Sequence, residues 1–184
     1  MIIEQPAFFL RWLYPNALWR MDPNDHAVYL TFDDGPIPEV TPWVLDVLDQ
    51  YNVKATFFMV GDNIRKYPEI FEEVRRRGHR LGNHTFNHIS GHLHGISSYV
   101  RNVERANEYL HTDLFRPPHG WMKWPQYHAI SRRYRVVMWD LVTRGSMVAM
   151  YWPMFATMHA MVVSSPSTIA SRATRNSNTR SLAP

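Results

Sequence analysis

Between Ala27 and Val142, short apolar runs rich in strand formers alternate with segments of helical period. No other feature constrains the fold as strongly. The runs are "AVYLTF", "KATFFMVG", "RLGNH", "TDLFRPP" and "YRVVMWDLV". The intervening segments are "EVTPWVLDVLDQYNV", "YPEIFEEVRRRGH", "GISSYVRNVERANEYLH" and "WPQYHAISRR". Strands separated by helices of this size predict parallel pairing and an α/β architecture. Thr41 before Pro42 predicts an N-cap followed by proline at the first helical position, and Gly78 a stop to the second helix. Asp33, His84, Arg116 and Asp140 fall just after strands, on the face where α/β folds gather their chemistry.

The acid pair at the end of the first run sharpens this picture. Asp33 and Asp34 are adjacent carboxylates, costly to bury together without compensation. "HTFNH" places His84 and His88 four apart, which on a helical turn puts both imidazoles on one face. As an isolated match this spacing is common by chance, and His79, His92 and His94 make the region histidine-rich. Two imidazoles and a carboxylate nevertheless form a common set for zinc and other divalent ions. The second carboxylate would then be left to act as a general base. In "FRPPHG", Arg116 leaves a strand and Pro117–Pro118 stiffens the chain after it, so its guanidinium can hold a carboxylate in one orientation. Alone, "DDGP" also reads as a polar strand-to-turn junction, and "RPP" as a loop.

Composition limits the alternatives. The chain has 184 residues, 45% hydrophobic and 14% aromatic, enough for one domain with a substantial core. With no cysteine, disulfides and zinc–thiolate sites are excluded, so a metal must sit on His, Asp or Glu. The net charge of +4 comes with short basic clusters, "RRRGHR" and "SRRYR", that read as solvated surface; no nucleic acid partner is expected. The N-terminal stretch is apolar but broken by Pro6, Arg11 and Pro15, too short to span a bilayer and without a signal-peptide pattern. Phe8, Phe9, Trp12, Leu13 and Trp19 there would pack on the domain or, as a less favoured reading, touch a membrane surface. Nothing marks a compartment, which leaves a cytoplasmic or membrane-peripheral monomer as the default expectation.

Taken together, "TFDDGP", "HTFNH" and "RPPHG" resemble, in order and spacing, the first three motifs of the polysaccharide deacetylase family. This family is also known as the NodB homology domain and carbohydrate esterase family four. "KATFFMVG" and "GHRLGNH" are similar to family wording, and the resemblance covers residues 27–144. It implies a distorted (β/α) barrel of parallel strands. It further implies that Asp33 is the catalytic base, that Asp34, His84 and His88 hold one divalent metal, and that Arg116 orients Asp33. The metal would be zinc, with cobalt, manganese or nickel as alternatives. Thr85 would support the site by hydrogen bonding. His119 stands where the family has an aromatic, with its backbone N–H serving the oxyanion between Pro118 and Gly120. Trp139–Asp140 opens the fourth motif. The implied reaction is hydrolysis of an N-acetyl group on an acetylated glycan, such as peptidoglycan or another N-acetylglucosamine polymer.

The resemblance stops at residue 144. A second aspartate is expected near position 145, where this chain has Gly145, and a Leu-x-His strand supplying the general acid is not found. His159 is the sole downstream histidine and lies too close to serve well. The expectations are an incomplete barrel lacking its C-terminal strands, a reading frame or gene disrupted near Arg144–Gly145, and a poorly ordered tail over 145–184. Residues 147–163, rich in Met and aromatics, would cover an exposed sheet edge. The alternative function is a catalytically impaired glycan- or metal-binding remnant.

Overall fold

The computed structural model describes residues 3–4, 8–22, 24, 27–143 and 160–164. Its strands are β1 (Ile3–Glu4), β2 (Val28–Asp33), β3 (Thr56–Met59), β4 (Arg80–Asn83), β5 (Leu114–Phe115), β6 (Arg135–Val136), β7 (Leu141–Thr143) and β8 (Ala160–Ser164). Its α-helices are α1 (Phe8–Leu13), α2 (Val40–Gln50), α3 (Gly61–Lys66), α4 (Pro68–Arg76), α5 (Ile96–Leu110) and α6 (Trp124–Ile130).

All eight strands form one sheet in the order β1-β7-β8-β2-β3-β4-β5-β6. From β2 to β6 every neighbouring pair is parallel, as the strand–helix alternation requires. These five strands form a curled half-barrel, the incomplete form expected of the distorted (β/α) barrel that the resemblance implied. The remaining pairings, β2 with β8, β8 with β7 and β7 with β1, are antiparallel. The expected fifth strand is divided: β6 ends at Val136 and the chain re-enters the sheet only at Leu141. Strand β8 lies in the region where the sequence offered no period, and runs along the free side of β2 over Val28–Phe32.

Each parallel strand carries two faces. On β2 and β3, Leu30, Phe32, Phe57 and Met59 pack with Val44, Leu45 and Leu48 of α2 and with Phe71 and Val74 of α4. Phe58 takes the opposite face, against Val137, as the two-residue strand period dictates. A second core gathers Tyr99, Val103, Phe115, Tyr127 and Ile130 together with Leu10, Tyr14, Ala17 and Trp19 of the N-terminal segment. The segment is therefore integrated into the domain. Leu18 even forms a parallel bridge with Val137, donating to the Val136 carbonyl and accepting from the Met138 N–H.

Thr41 is not the N-cap of α2, because the helix begins at Val40 behind Glu39 (φ 65°). The Thr41 hydroxyl instead accepts the Ile37 N–H at 2.9 Å, tying the preceding turn to the first helical turn. Helix α4 ends at Arg76, just before Gly78. No helix among the described residues is long and apolar enough to cross a membrane.

Candidate active site

Strand β2 becomes progressively buried along its length and delivers Asp33 to the interior, 2% exposed. Opposite it stands Arg116, fully buried at the end of β5. One guanidinium nitrogen donates to Asp33 Oδ1 at 2.7 Å and to Thr31 Oγ1 at 2.8 Å. The others reach the carbonyls of Val137 at 3.1 Å and Met138 at 2.8 Å. The Phe58 ring lies 4.1 Å beneath the guanidinium carbon. Burial pushes the Arg116 pKa down, and the Asp33 carboxylate opposes that shift. These acceptors satisfy the remaining guanidinium donors and so help offset the desolvation of the buried pair.

Asp34 has φ 71°, and this left-handed turn separates its side chain from that of Asp33. Its Oδ1 lies 3.4 Å from His84 Nε2 and 3.0 Å from His88 Nε2. Its carbonyl accepts from Asn63 at 2.9 Å, while the Gly35 carbonyl accepts the Val60 N–H. The Gly35–Pro36 peptide is cis. His84 Nδ1 lies 2.8 Å from the Arg116 carbonyl. A carbonyl can only accept, so Nδ1 carries the proton and the Nε2 lone pair faces Asp34.

His84 and His88 do not share a helical turn. Residues 84–88 form a loop, with Thr85 at φ 65° and His88 at φ 52°. Fixed tertiary partners replace the helical hydrogen bonds. Thr85 N–H donates to Asn83 Oδ1, Phe86 and Asn87 N–H donate to Asn102 Oδ1, and Ile89 N–H donates to Thr85 Oγ1. From α3, Gly61 and Asp62 N–H hold the carbonyls of Thr85 and Phe86. Asp34, Thr85, His88 and His119 are all non-glycine residues at positive φ, so backbone strain is concentrated at the site.

One ligand atom from each of Asp34, His84 and His88 falls within a 4.8 Å cluster. Two imidazoles, one with its tautomer set by a carbonyl, and one carboxylate fit a divalent cation. Burial disfavours protonation of His84, but Asp33 and Asp34 outweigh it and raise the pKa.

Beside this cluster, Pro118–Gly120 form a single 3-10 turn. His119 (φ 60°) is exposed, with its ring centroid 4.8 Å from that of His88. Burial and the imidazoles of His88 and His84 push the His119 pKa down. Gly120 (φ +71°) is required by contact as well as by conformation, because a Cβ there would sit 2.1 Å from the Trp139 ring. Asp140 is fully buried and engaged by Arg11 and Arg20, each at 2.7 Å. Gly145 and His159 lie outside the described residues. Sequence reasoning missed Thr31, Asn63, Asn83 and Asn102. Of these, Thr31 alone had a signal, standing two residues before Asp33 on the same strand face.

The profile of the family described as "Polysaccharide deacetylase" matches residues 20–129. A peptidoglycan-N-acetylglucosamine deacetylase of Bacillus cereus is 37% identical over 131 residues, covering 65% of this chain and 46% of that protein. A second from the same organism is 32% identical, covering 74% of this chain and 63% of its own. The chain thus spans only about half to three-fifths of the length of these relatives. A chitooligosaccharide deacetylase of Azorhizobium caulinodans is 45% identical over 67 residues, 36% of this chain and 32% of that one. Among solved structures, a peptidoglycan N-acetylglucosamine deacetylase in complex with 4-naphthalen-1-yl-N-hydroxybenzamide superposes with a TM-score of 0.67 at 33% identity, covering 73% of this chain and 65% of that one.

Proposed function

This chain belongs to the polysaccharide deacetylase family, and from that premise we propose that it removes N-acetyl groups from an N-acetylglucosamine-containing glycan. The observation that carries the reading is the convergence of Asp34, His84 and His88 next to a separate, arginine-clamped carboxylate, Asp33. The substrates named for the relatives, peptidoglycan and chitooligosaccharides, support the substrate class.

Asp34, His84 and His88 are the proposed ligands, and their donor set favours zinc. When bound, the ion supplies Lewis-acid polarisation of the acetamide carbonyl and lowers the pKa of water. Asp33 takes the proton of the attacking water as general base. Arg116 and Thr31 keep that carboxylate in one orientation, and Arg116 balances its charge. The Arg116 carbonyl also sets the His84 tautomer, so one residue aligns both the base and a ligand. The His119 N–H serves the oxyanion, on a turn fixed by Gly120 against Trp139. As the carbonyl carbon–nitrogen bond breaks, the nitrogen takes a proton from solvent, and acetate and a free amine leave.

A second reading, a metal- or glycan-binding remnant, is favoured by Gly145 where the resemblance expects aspartate. Acetate release from acetylated chitooligosaccharides with added zinc separates the two. Release is expected, and Asp33→Asn should lower it by about 10²–10⁴-fold while zinc binding persists. Zinc binding by the wild type without any release would favour the remnant. Undiminished turnover in Asp33→Asn would overturn the base assignment.

A further inference from the structure

We propose that the exposed aromatic pair Phe9–Trp121 is a glycan-docking platform that extends the site by further sugar units; this rests on the deacetylase reading for the identity of the sugar. The two rings lie 6.0 Å apart, tilted by 48°, with Phe9 54% and Trp121 40% exposed. Trp12, one helical turn beyond Phe9 on α1, is 84% exposed and lengthens the strip. Rings of this size left in water forgo the burial that normally stabilises them, and such a strip marks an interaction surface.

Its position relative to the candidate site identifies the occupant. Trp121 comes two residues after His119, so their Cα atoms are at most ~7.6 Å apart, a span on the order of one or two sugar units. His119 in turn packs on His88 of the metal cluster. A polymer with one acetamide at that cluster that extends past His119 meets the aromatic pair within one or two sugar units. The pair is also held in place from both sides. The Tyr14 hydroxyl donates to the Met122 carbonyl and accepts its N–H, and the Tyr127 hydroxyl accepts the Asn16 N–H. This locks α1 to the segment that carries Trp121, so the rings are preorganised.

The chemistry selects an uncharged ring face. A pyranose presents a flat patch of C–H groups that stacks on an aromatic face. Binding to an anionic lipid surface would need free cations on α1. The single basic residue of α1, Arg11, is instead drawn to the buried Asp140, and the helix has only six residues.

The test is calorimetric binding of chitohexaose and of diacetylchitobiose to the full chain, with and without zinc. The hexamer should bind more tightly than the dimer. Trp121→Ala and Phe9→Ala should each weaken hexamer binding about 3- to 10-fold and collapse that difference, the size of one aromatic contact. Phe9→Ala, at the more exposed position, preserves the test should Trp121→Ala fail to fold. Equal binding of hexamer and dimer by the wild type, or an unchanged difference in both variants, overturns the platform. So does sedimentation with phosphatidylglycerol vesicles that Trp121→Ala abolishes while hexamer binding is kept. Acetate release is scored separately. Length-dependent binding without release refutes the deacetylase reading alone, whereas release without length dependence refutes the platform alone.

Discussion

Asp33 and Asp34 are neighbours in the chain with different surroundings, and one backbone dihedral separates them. Asp33 continues the extended strand into the Arg116 clamp, whereas Asp34, at φ 71°, turns towards two imidazoles. The acids, the histidines and the arginine were legible because three motifs, each commonplace alone, occur together in one order and spacing. Asn83 and Asn102 were not, because an asparagine that caps a loop two or 15 residues away looks in sequence like any solvated polar residue. His79 is a buried titratable group outside the site. It is 6% exposed, accepts the Ala55 N–H on Nδ1 at 3.2 Å and sets its ring edge-on to Phe57. Burial, reinforced by Lys54 and Arg77 and opposed by Asp49, lowers its pKa below 6.5. The unfolded chain therefore binds this proton more readily. The stability from neutral His79 is complete above pH ~6.5 and is lost as the pH falls below it, by at most ~1.4 kcal/mol per pH unit. Glutamine can still accept the Ala55 N–H without titrating. Urea midpoints between pH 7.5 and 5.5 should accordingly fall more steeply for the wild type than for His79→Gln; parallel slopes would exclude His79 as a source of acid sensitivity.

At the level of elements, the long periodic helices and the parallel strands were readable, whereas structure set by tertiary partners was not. The His84–His88 spacing suggested a helical turn, yet the loop that forms is dictated by Asn102 of α5 and the N–H groups opening α3. Helix α3 itself was missed, since "GDNIRK" is short and polar and shows no apolar period. Its first residue explains its placement. A Cβ on Gly61 would lie 2.6 Å from the Phe86 ring and 3.1 Å from the Ala106 Cα, so α3 approaches α5 at backbone distance. The same Gly61 donates its N–H to the Thr85 carbonyl within the His84–His88 loop. Gly61→Ala should push α3 outward and cost about 1–3 kcal/mol. It should also weaken zinc binding, because Thr85 lies between the two histidines proposed as ligands. Thermal unfolding with and without zinc checks both effects. An unchanged melting temperature and an unchanged zinc shift would show that α3 can move away without disturbing the loop.

For the whole molecule, the least legible feature is how residues 8–20 become part of the domain. Broken by Pro6 and Pro15, the N-terminal stretch shows no period, yet Leu10, Tyr14, Ala17 and Trp19 are core residues and Leu18 joins the edge of β6. These contacts are non-local, so no window of sequence could contain them. The connection has an electrostatic anchor in Asp140, 0% exposed, which receives Arg11 (29%) and Arg20 (36%) from two points of the segment. Burial sets its strength. Removing the charge leaves two partly desolvated guanidinium groups with a weaker acceptor, at a cost of ~2–3 kcal/mol. The Arg80–Asp113 pair has a similar length, 3.0 Å, but its side chains are 63% and 68% exposed, so its contribution is only ~0–1 kcal/mol. Asp140→Asn should therefore lower the urea midpoint clearly and speed tryptic cleavage after Arg11 and Arg20. Asp113→Asn should do neither. Because the Val137 and Met138 carbonyls that hold Arg116 lie on the segment bridged by Leu18, Asp140→Asn should also loosen the Arg116–Asp33 clamp and reduce acetate release. If the two variants unfold at the same urea concentration, the segment is held by its apolar contacts and hydrogen bonds, and the ion-pair anchor is dispensable.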